Sequence, residues 1–332
     1  MDNRQILIVE MPTDKLGSEH FRLQTTQVPE PGPGEVLCRT LYLSLDPANR
    51  AWMQGATYRS ALQPGQVMSG FTLAEVVRSN DARFAPGDLV EGDGGWQEYF
   101  VKPGKALARR DRREPLSHLM SVLGVTGRTA HYGMAGIGKP QPGETVVVSA
   151  AAGATGSVAG QIARLRGARV VGIAGGAEKC RRLVDEFGFD AAVDYKNENL
   201  FQALKSACPD GIDLYFDNVG GQTLEAALFR MKVHGRIVCC GVVSQYDTGN
   251  PAPGPRGVPG LLVTKRLTMT GFLVGDDPAL SAAADRELEQ WLDAGQLKVA
   301  EDVLEGLESA PAGLVGLLAG GNFGKRMVRV AT

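Results

Sequence analysis

The stretch from Glu144 to Lys179 constrains the fold of this chain more than any other part of its sequence. It reads ETVVVSAAAGATGSVAGQIARLRGARVVGIAGGAEK. The apolar run from Thr145 to Val148 predicts a buried parallel strand, and the small residues after it predict a turn into a helix that starts near Thr155. A second apolar run, Arg169 to Ala174, predicts the next strand. Strand, glycine turn, helix and strand in this order predict one unit of a parallel α/β sheet.

The turn after the first of these strands carries a glycine fingerprint for dinucleotide phosphates. Ala151, Gly153 and Gly156 occupy its three small-residue positions, with alanine in first place. Gly153 allows the backbone to approach a pyrophosphate, and Gly156 allows the helix to pack close to the strand. The first amides of that helix supply donors for the phosphates. The fingerprint therefore predicts a dinucleotide site that includes Ala154 and Thr155.

The turn after the second strand bears on the choice between NAD(H) and NADP(H). An NAD-specific site places Asp or Glu there, roughly 20 residues past the glycines, to accept a hydrogen bond from the ribose 2′-hydroxyl. This chain has Gly175 and Gly176 instead, and Lys179 follows them. Because a carboxylate would repel a 2′-phosphate and a lysine attracts it, the turn favours NADP(H). Arg181 and Arg182 stay open as alternative cations, and Lys179 would then be a solvated helix lysine.

The composition excludes several classes of partner. A chain of 332 residues suits two domains. With 35 basic and 37 acidic residues and a net charge of -2, the chain suggests neither nucleic acid nor an anionic membrane as partner, and the basic cluster Arg109 to Arg113 is interpreted as a surface turn. No run approaches the roughly eighteen apolar residues of a membrane span. The amino terminus shows no signal-peptide pattern, so we expect a cytoplasmic protein.

The spacing of cysteines and histidines argues against a metal site. The cysteines are odd in number, scattered and without CxxC spacing, which predicts neither a disulfide framework nor a structural zinc site. The four histidines form no ligand-like pair. We therefore expect no metal. The cysteines are Cys38, Cys180, Cys208, Cys239 and Cys240.

The pattern of predicted strands and helices changes twice along the chain. From Thr145 to Cys240 strands alternate with helices, which predicts a doubly wound parallel sheet of the α/β class. The tail from Val299 to Val330 mixes short strands with one helix, and we expect it to rejoin the first domain. The first hundred residues are rich in strands and turns, which predicts a small irregular β-barrel. The runs that predict its strands are Gln5 to Val9, Val36 to Leu45, Met68 to Val77 and Tyr99 to Lys102.

A segment rich in proline and glycine, Asn250 to Gly260, interrupts the pattern after the alternating region. It reads NPAPGPRGVPG and predicts a loop without regular structure. A disordered insert and a cover over a site are both open for it. A strand from Leu267 to Val274 and a helix from Leu280 to Ala294 are predicted to follow.

Several motifs in a fixed order make the chain resemble one branch of the medium-chain dehydrogenase/reductase superfamily. With AAGATG, they resemble the zinc-free, NADPH-dependent alkenal, prostaglandin and curcumin reductases over the whole chain. The resemblance implies a GroES-like β-barrel substrate and catalytic domain of residues 1–120 plus 297–332, a Rossmann NADP-binding domain of residues 121–296, and a homodimer. The motifs are LSLDP at 43–47, GWQEY at 95–99, GGAEKC at 175–180, FDNVGG at 216–221, CGVVSQY at 240–246 and GNFGK at 321–325.

The same resemblance implies which residues bind NADP(H). Lys179 and Tyr195 would bind the 2′-phosphate, the lysine as a point charge and the tyrosine as a hydroxyl donor. Asn218 would lie beside the adenosine ribose, and Thr129 near the carboxamide. A surface tyrosine at Tyr195 and a satisfied turn asparagine at Asn218 stay open. The other expected cofactor residues are Gly153, Ala154, Thr155, Gly156, Gly175, Cys240, Gly241, Val242, Ser244, Tyr246, Phe272, Leu273, Val274 and Asn322.

The reaction that the resemblance implies is hydride transfer to the β-carbon of an α,β-unsaturated aldehyde or ketone. Negative charge then develops on the carbonyl oxygen, and stabilising it is the main catalytic task. Ala48 and Thr264 stand where relatives carry tyrosines, which implies a reshaped pocket. Tyr58 is the leading candidate for the oxygen donor, and a surface tyrosine is the alternative. Zinc-free NADPH quinone reduction and NADPH binding without turnover are the alternative functions.

Overall fold

The computed structural model describes residues 1–331, and the chain divides into two compact units. Unit 1 comprises Met1–Met120, Tyr246–Asn250 and the tail from Glu301. Unit 2 comprises Ser121–Gln245 and Pro251–Ala300. In this division the tail begins at Glu301, whereas the resemblance implied a start at residue 297. The sequence also gave no sign that a five-residue segment from the middle of the chain belongs to unit 1.

The secondary structure begins with strands, continues with alternating strands and helices, and returns to strands in the tail. The strands are β1 (Asp2–Ile8), β2 (Phe21–Gln27), β3 (Glu35–Ser44), β4 (Phe71–Ser79), β5 (Leu89–Asp93), β6 (Tyr99–Pro103), β7 (Ala108–Arg110), β8 (Thr145–Val148), β9 (Arg169–Ala174), β10 (Ala191–Asp194), β11 (Ile212–Asp217), β12 (Met231–Cys239), β13 (Thr268–Gly271), β14 (Glu301–Glu305) and β15 (Lys325–Arg329). The α-helices are α1 (Pro47–Gln54), α2 (Val125–His131), α3 (Ala154–Leu165), α4 (Ala177–Asp185), α5 (Leu200–Ala207), α6 (Gly221–Arg230), α7 (Val258–Lys265), α8 (Pro278–Asp293) and α9 (Ala310–Leu318).

Unit 1 is built on a mixed sheet in which the tail lies beside the amino-terminal strands. Within the described chain the strand order is β14-β15-β3-β4-β5-β7, β6 also pairs with β3, and β1 pairs with β2 alone. Strands β15 and β3 are antiparallel, with Met327 opposite Ser44. The core includes Ile8, Leu43 and Trp96, all at most 1% exposed. In this sheet the tail strands β14 and β15 lie beside strands of the first hundred residues.

Unit 2 is a parallel sheet with helical connections. Its strand order is β10-β9-β8-β11-β12-β13 across the described residues, and every pair in it is parallel. The first strands of the two mononucleotide-binding halves, β8 and β11, are neighbours in this order, which is the doubly wound arrangement. Strand β8 is buried at all four positions, as a sheet covered on both faces requires. The predicted α/β class with a doubly wound sheet is confirmed.

Two predictions after β12 need correction. The segment from Asn250 to Gly260 is not irregular throughout, because α7 begins at Val258. Proline lies in the first turn of α7, where its missing N–H group costs no hydrogen bond. The strand predicted from Leu267 to Val274 is limited to β13, because Phe272 leaves the sheet and stacks on Tyr132. In residues 1–331 no helix has the length and apolar character needed to cross a membrane.

Candidate cofactor site

The turn between β8 and α3 has the form of a phosphate cradle. Ala150 lies in the left-handed region with φ of 46°, and its carbonyl accepts a hydrogen bond from the amide of Gly153 at 2.9 Å. A Cβ atom at Gly156 would lie 2.3 Å from that same carbonyl oxygen, so only glycine allows α3 to begin this close to the turn. No side chain caps α3, which leaves the amides of Ala154, Thr155 and Gly156 for an anion. This local geometry fits a dinucleotide pyrophosphate.

The turn after β9 brings two further side chains against Gly175. A Cβ atom there would lie 2.9 Å from Cε1 of Tyr195 and 2.9 Å from Cε of Lys196. Glycine is therefore required for both side chains to stay in place. Tyr195 is 49% exposed, and Lys179 is half-buried in the first turn of α4. Lys196 was not among the predicted site residues. The sequence offered no signal for it, since only the folded turn places it beside Gly175.

Asp194, at the end of β10, fixes this turn. Its carboxylate accepts hydrogen bonds from the amide of Gly176 at 2.7 Å, from the amide of Lys196 at 3.1 Å and from Nδ2 of Asn197 at 2.7 Å. The hydrogen bonds from Asn197 and Gly176 hold the pKa of Asp194 below its ordinary value. The carboxylate of Asp194 is thus occupied by donors of the fold, and Gly176 has a φ of 100°.

The arginines that the sequence left open as alternative cations are paired on α4 itself. Arg181 forms ion pairs with Glu178 at 2.7 Å and with Asp185 at 3.4 Å. Arg182 forms one with Glu186 at 2.7 Å. These i,i+3 and i,i+4 pairs satisfy the two guanidinium groups on the helix surface.

A buried polar network joins the ends of β8 and β11. Asp217 accepts hydrogen bonds from the hydroxyl of Tyr215 at 2.9 Å and from the amide of Gly220 at 2.9 Å, and burial raises the pKa of its carboxyl. Nδ2 of Asn218 donates to the carbonyl of Ser149 at 2.7 Å. The interpretation of Asn218 as a satisfied turn asparagine therefore has a geometric basis. Its place beside a ribose stays a prediction.

The loop after β12 is held to the same edge of the sheet through its backbone. The amides of Cys240 and Gly241 donate to the carbonyl of Asp217 at 2.8 and 3.1 Å. Val242 packs against Gly220, and Ser244 is exposed. Burial, with the charge of Asp217, raises the pKa of Cys240 to about 12. Cys240 is therefore a neutral thiol at physiological pH, and its backbone carries its structural role.

The end of β13 supplies an aromatic surface. The rings of Phe272 and Tyr132 stack with centroids 5.2 Å apart and planes inclined by 6°. Leu273 is 45% exposed, whereas Val274 is half-buried. The hydroxyl of Thr129 donates to the carbonyl one turn earlier in α2 at 2.6 Å, so its oxygen lone pairs stay available as acceptors. These residues all belong to unit 2.

Three expected site residues belong to unit 1. Asn322 is buried, and its amide donates to the carbonyl of Gly324 at 2.8 Å. Tyr246 is half-buried and opens the segment that unit 1 takes from the middle of the chain. Tyr58 is 62% exposed, and its hydroxyl accepts a hydrogen bond from Nε1 of Trp52 at 3.1 Å.

The Trp52 hydrogen bond decides what Tyr58 can donate. An indole N–H is a donor only, so the hydroxyl proton of Tyr58 is left for another acceptor. Arg59 holds the loop, because its guanidinium lies 4.4 Å from the Trp52 ring centroid and pairs with Asp93 at 2.9 Å. Trp52 was not predicted as a site residue. Its relation to Tyr58 follows from the fold of the loop after α1.

The two positions that depart from the family pattern supply no alternative oxygen donor. Ala48 has no polar side-chain atom and packs against the core of unit 1. The hydroxyl of Thr264 donates to the carbonyl of Gly260 at 2.8 Å inside α7. Across residues 1–331, no group of three or more His, Cys, Asp or Glu side chains has a metal-binding arrangement.

Comparison with known proteins identifies the family. The model described as the N-terminal domain of oxidoreductase matches residues 4–109, and the one described as zinc-binding dehydrogenase matches residues 154–290. The NADPH-dependent curcumin reductase of Escherichia coli is 41% identical over 99% of this chain and 97% of its own length. The chain belongs to the medium-chain dehydrogenase/reductase superfamily. The resemblance drawn from the motifs is thereby confirmed.

Further relatives place this medium-chain reductase among the alkenal, prostaglandin and curcumin reductases. The NADP(+)-dependent 2-alkenal reductase of Nicotiana tabacum is 44% identical over 100% of this chain and 98% of its own length. The crystal structure of CurA from Vibrio vulnificus in complex with NADPH matches with a TM-score of 0.94 and 38% identity, over 99% of each chain. The cofactor contacts of individual residues in this chain stay predictions.

Proposed function

We propose that this protein is an NADPH-dependent reductase of the carbon–carbon double bond of α,β-unsaturated aldehydes and ketones, with alkenal or curcumin-like substrates. The full-length similarity to NADPH-dependent curcumin and alkenal reductases carries the proposal. The turn after β9 supports the choice of cofactor, because Gly175 stands where an NAD-specific site has a carboxylate. In this proposal unit 2 binds the cofactor and unit 1 supplies substrate-binding and catalytic groups.

Unit 2 fits NADP(H) by the chemistry of its donors. The uncapped amides at the start of α3 suit the pyrophosphate, and Lys179 and Tyr195 suit the 2′-phosphate. Asn218, Ser244 and the other predicted residues at this sheet edge are assigned to the rest of the cofactor. When bound, NADPH supplies a hydride.

Tyr58 is proposed as the donor to the substrate carbonyl oxygen. Its hydroxyl proton is available because Trp52 donates to the hydroxyl oxygen, and that hydrogen bond polarises the O–H group further. A donor aimed at an oxygen on which charge develops stabilises the transition state more than the ground state. The β-carbon gains the hydride and the α-carbon gains a proton from solvent, so the double bond becomes a single bond and the carbonyl is kept.

The experiment is to follow NADPH absorbance with an enal, an enone, a quinone, a saturated ketone and no acceptor, and to identify the products. We expect NADPH consumption with the enal and the enone, with saturated carbonyl compounds as products. Consumption with the quinone alone would instead identify a quinone reductase. Tight NADPH binding without oxidation by any acceptor would identify a non-catalytic binding protein, and allylic alcohols would contradict double-bond reduction.

We propose further that two copies of the chain form a homodimer through β13 and α7. Strand β13 is the outer strand of its sheet in the described chain, so its outer backbone groups are left to pair with another strand. Helix α7 buries none of its residues, and its Val263 is 74% exposed. An apolar helix beside an open strand edge suits the same elements of a second copy.

A zinc-free protein that works in the cytoplasm completes the proposal. Its support is the state of the cysteines, which are all free. Among the described residues, no group of three or more His, Cys, Asp or Glu side chains is placed to hold a metal ion. Free thiols are typical of reducing compartments.

A further inference from the structure

One cation at the turn after β9 is not used by the fold. Arg181 and Arg182 are paired with acids of α4, and Lys179 has an interaction within the protein. The ammonium group of Lys196, by contrast, makes no hydrogen bond or ion pair with any residue in the described range 1–331. The side chain of Lys196 is exposed. Its charge is therefore available to a ligand.

The position of Lys196 is nevertheless defined by contacts of its backbone and of its side-chain stem. Its amide donates to Oδ1 of Asp194 at 3.1 Å, and the same carboxylate oxygen accepts from the amide of Gly176 at 2.7 Å. Its Cε atom and Cε1 of Tyr195 each lie 2.9 Å from the point where a side chain at Gly175 would begin. The fold therefore aligns a lysine stem and a phenol ring along one glycine, with no side chain between them.

This pair of groups suits a doubly charged oxyanion. A phosphate monoester offers three acceptor oxygens, an ammonium provides a point charge with three donors, and a phenol adds one neutral donor. The carboxylate of Asp194 is occupied by three donors of the fold, and Glu198 accepts a hydrogen bond from the amide of Asp194 at 2.7 Å. Lys196, in the turn after β10 and beside Gly175, therefore has the charge and the donors that suit the adenosine 2′-phosphate.

We propose that Lys196 binds the 2′-phosphate of NADP(H) together with Tyr195 and Lys179, and so helps to set the preference for NADP(H) over NAD(H). The proposal rests on the proposed use of NADPH. It adds a specificity-determining residue from the turn after β10, a segment other than the helix that carries Lys179. Two lysines on two elements would hold the phosphate from two sides of the turn.

The test measures Kd for NADP+ and NAD+ by isothermal titration calorimetry, which requires no substrate turnover. Lys196→Met keeps the aliphatic stem and removes the charge. We expect it to weaken NADP+ binding by about tenfold or more and NAD+ binding by less than about twofold, as the loss of a charge-assisted hydrogen bond predicts. Lys196→Arg keeps the charge and should restore most of the affinity. Lys205→Met, an exposed lysine of α5, is the matched control and should change neither Kd.

The possible outcomes separate the inference from the proposed function. Equal weakening of both nucleotides, or no change in either, would overturn the role of Lys196. A selectivity loss in Lys179→Met with none in Lys196→Met would also overturn it, while leaving NADPH as the cofactor. Equal affinity of the unaltered protein for NADP+ and NAD+ would overturn the cofactor assignment itself, and the role of Lys196 with it.

Discussion

A single hydrogen bond determines what Tyr58 has to offer a substrate. Trp52 is 3% exposed and can only donate, so it fills the acceptor side of a tyrosine that is 62% exposed. Without this bond the hydroxyl could act as donor or acceptor toward Trp52. With it, the hydroxyl oxygen accepts from Trp52, and the hydroxyl proton is left to donate to another group. The tryptophan thus acts through the tyrosine and is a positioning residue in the proposed reaction.

Substitution at Tyr58 tests this arrangement. Tyr58→Phe should lower kcat with an enone by about 100-fold and change KM little, because the lost interaction is made mainly in the transition state. Trp52→Phe removes the indole donor and keeps an aromatic ring, and should lower kcat by roughly fivefold. Steady-state kinetics at saturating NADPH measure both effects.

Tyr195→Phe provides the opposite pattern as a control. It removes a hydroxyl proposed to contact the cofactor, so it should raise KM for NADPH and leave kcat nearly unchanged. An unaltered kcat in Tyr58→Phe would remove Tyr58 from the catalytic proposal. A Trp52→Phe effect that persists unchanged in the Tyr58→Phe background would show that Trp52 acts by another route.

The glycines of the site were predictable from the sequence, and several of its charged and aromatic partners were not. Gly156 is required by backbone clearance within one turn, and a Cβ atom at Gly153 would lie only 3.2 Å from the carbonyl oxygen of Ala150, so a short motif records both positions. Lys196, Asp194 and Trp52 act through contacts made only after folding. A sequence pattern carries no signal for such contacts, because each of these positions, considered alone, could hold many residue types.

At the scale of elements, a buried ion pair ties the tail to the amino-terminal sheet. Nζ of Lys325, at the start of β15, donates to Asp46 at 2.6 Å and to the carbonyl of Leu45 at 3.1 Å. It also donates to the hydroxyl of Ser44, at the end of β3. Asp46 is the N-cap residue of α1. One ammonium therefore fixes β15, β3 and the start of the helix that carries Trp52.

Removal of that ammonium should destabilise unit 1. Lys325 is 1% exposed, so Lys325→Met would leave the carboxylate of Asp46 with its main charged partner gone. We expect the free energy of unfolding to fall by about 3–5 kcal/mol. Urea unfolding followed by circular dichroism measures the change. Lys105→Met, at an exposed lysine of the same unit, should change it by less than about 0.5 kcal/mol. A loss below about 1 kcal/mol in Lys325→Met would contradict this account.

The elements that the sequence predicted best are those of unit 2. Strands buried on both faces read as continuous apolar runs, and β8 and β9 were placed at their observed residues. The sequence analysis did not predict strands β2 and β7, for two different reasons. The residues of β2 alternate with only Phe21 buried, and β7 has three residues, two of them arginine. The start of α7 was missed because proline was interpreted only as a breaker.

At the scale of the whole molecule, the proposed homodimer makes a direct prediction. Sedimentation equilibrium should give twice the mass of one chain. Val263→Asp places a charge on the exposed face of α7 and should shift the mass toward that of a single chain, because a buried unpaired charge is costly at an interface. Phe71→Asp, at an exposed apolar position of unit 1, is the control and should leave the mass unchanged. A monomeric unaltered protein would contradict the proposal.

The boundary between the two units falls within a continuous sequence motif. Five residues of the motif CGVVSQY were predicted to bind the cofactor, and the boundary between the units falls inside the motif, after Gln245. The segment that follows is held in unit 1 by Asp247, which accepts from the amide of Leu16 at 2.6 Å and pairs with buried Arg50 at 3.1 Å. Such long-range anchoring depends on residues some 200 positions apart in sequence.

The place of β15 beside β3 has a consequence for the order in which the protein forms on the ribosome. All of unit 2 is synthesised between these two neighbouring strands. A nascent chain can therefore complete the parallel sheet of unit 2 while Tyr42 to Ser44 of β3 still lack their partner β15, since domains fold as units during synthesis. Unit 1 starts first and finishes last. Until the last residues emerge, the open edge of β3 is the part of the molecule that a chaperone has reason to protect.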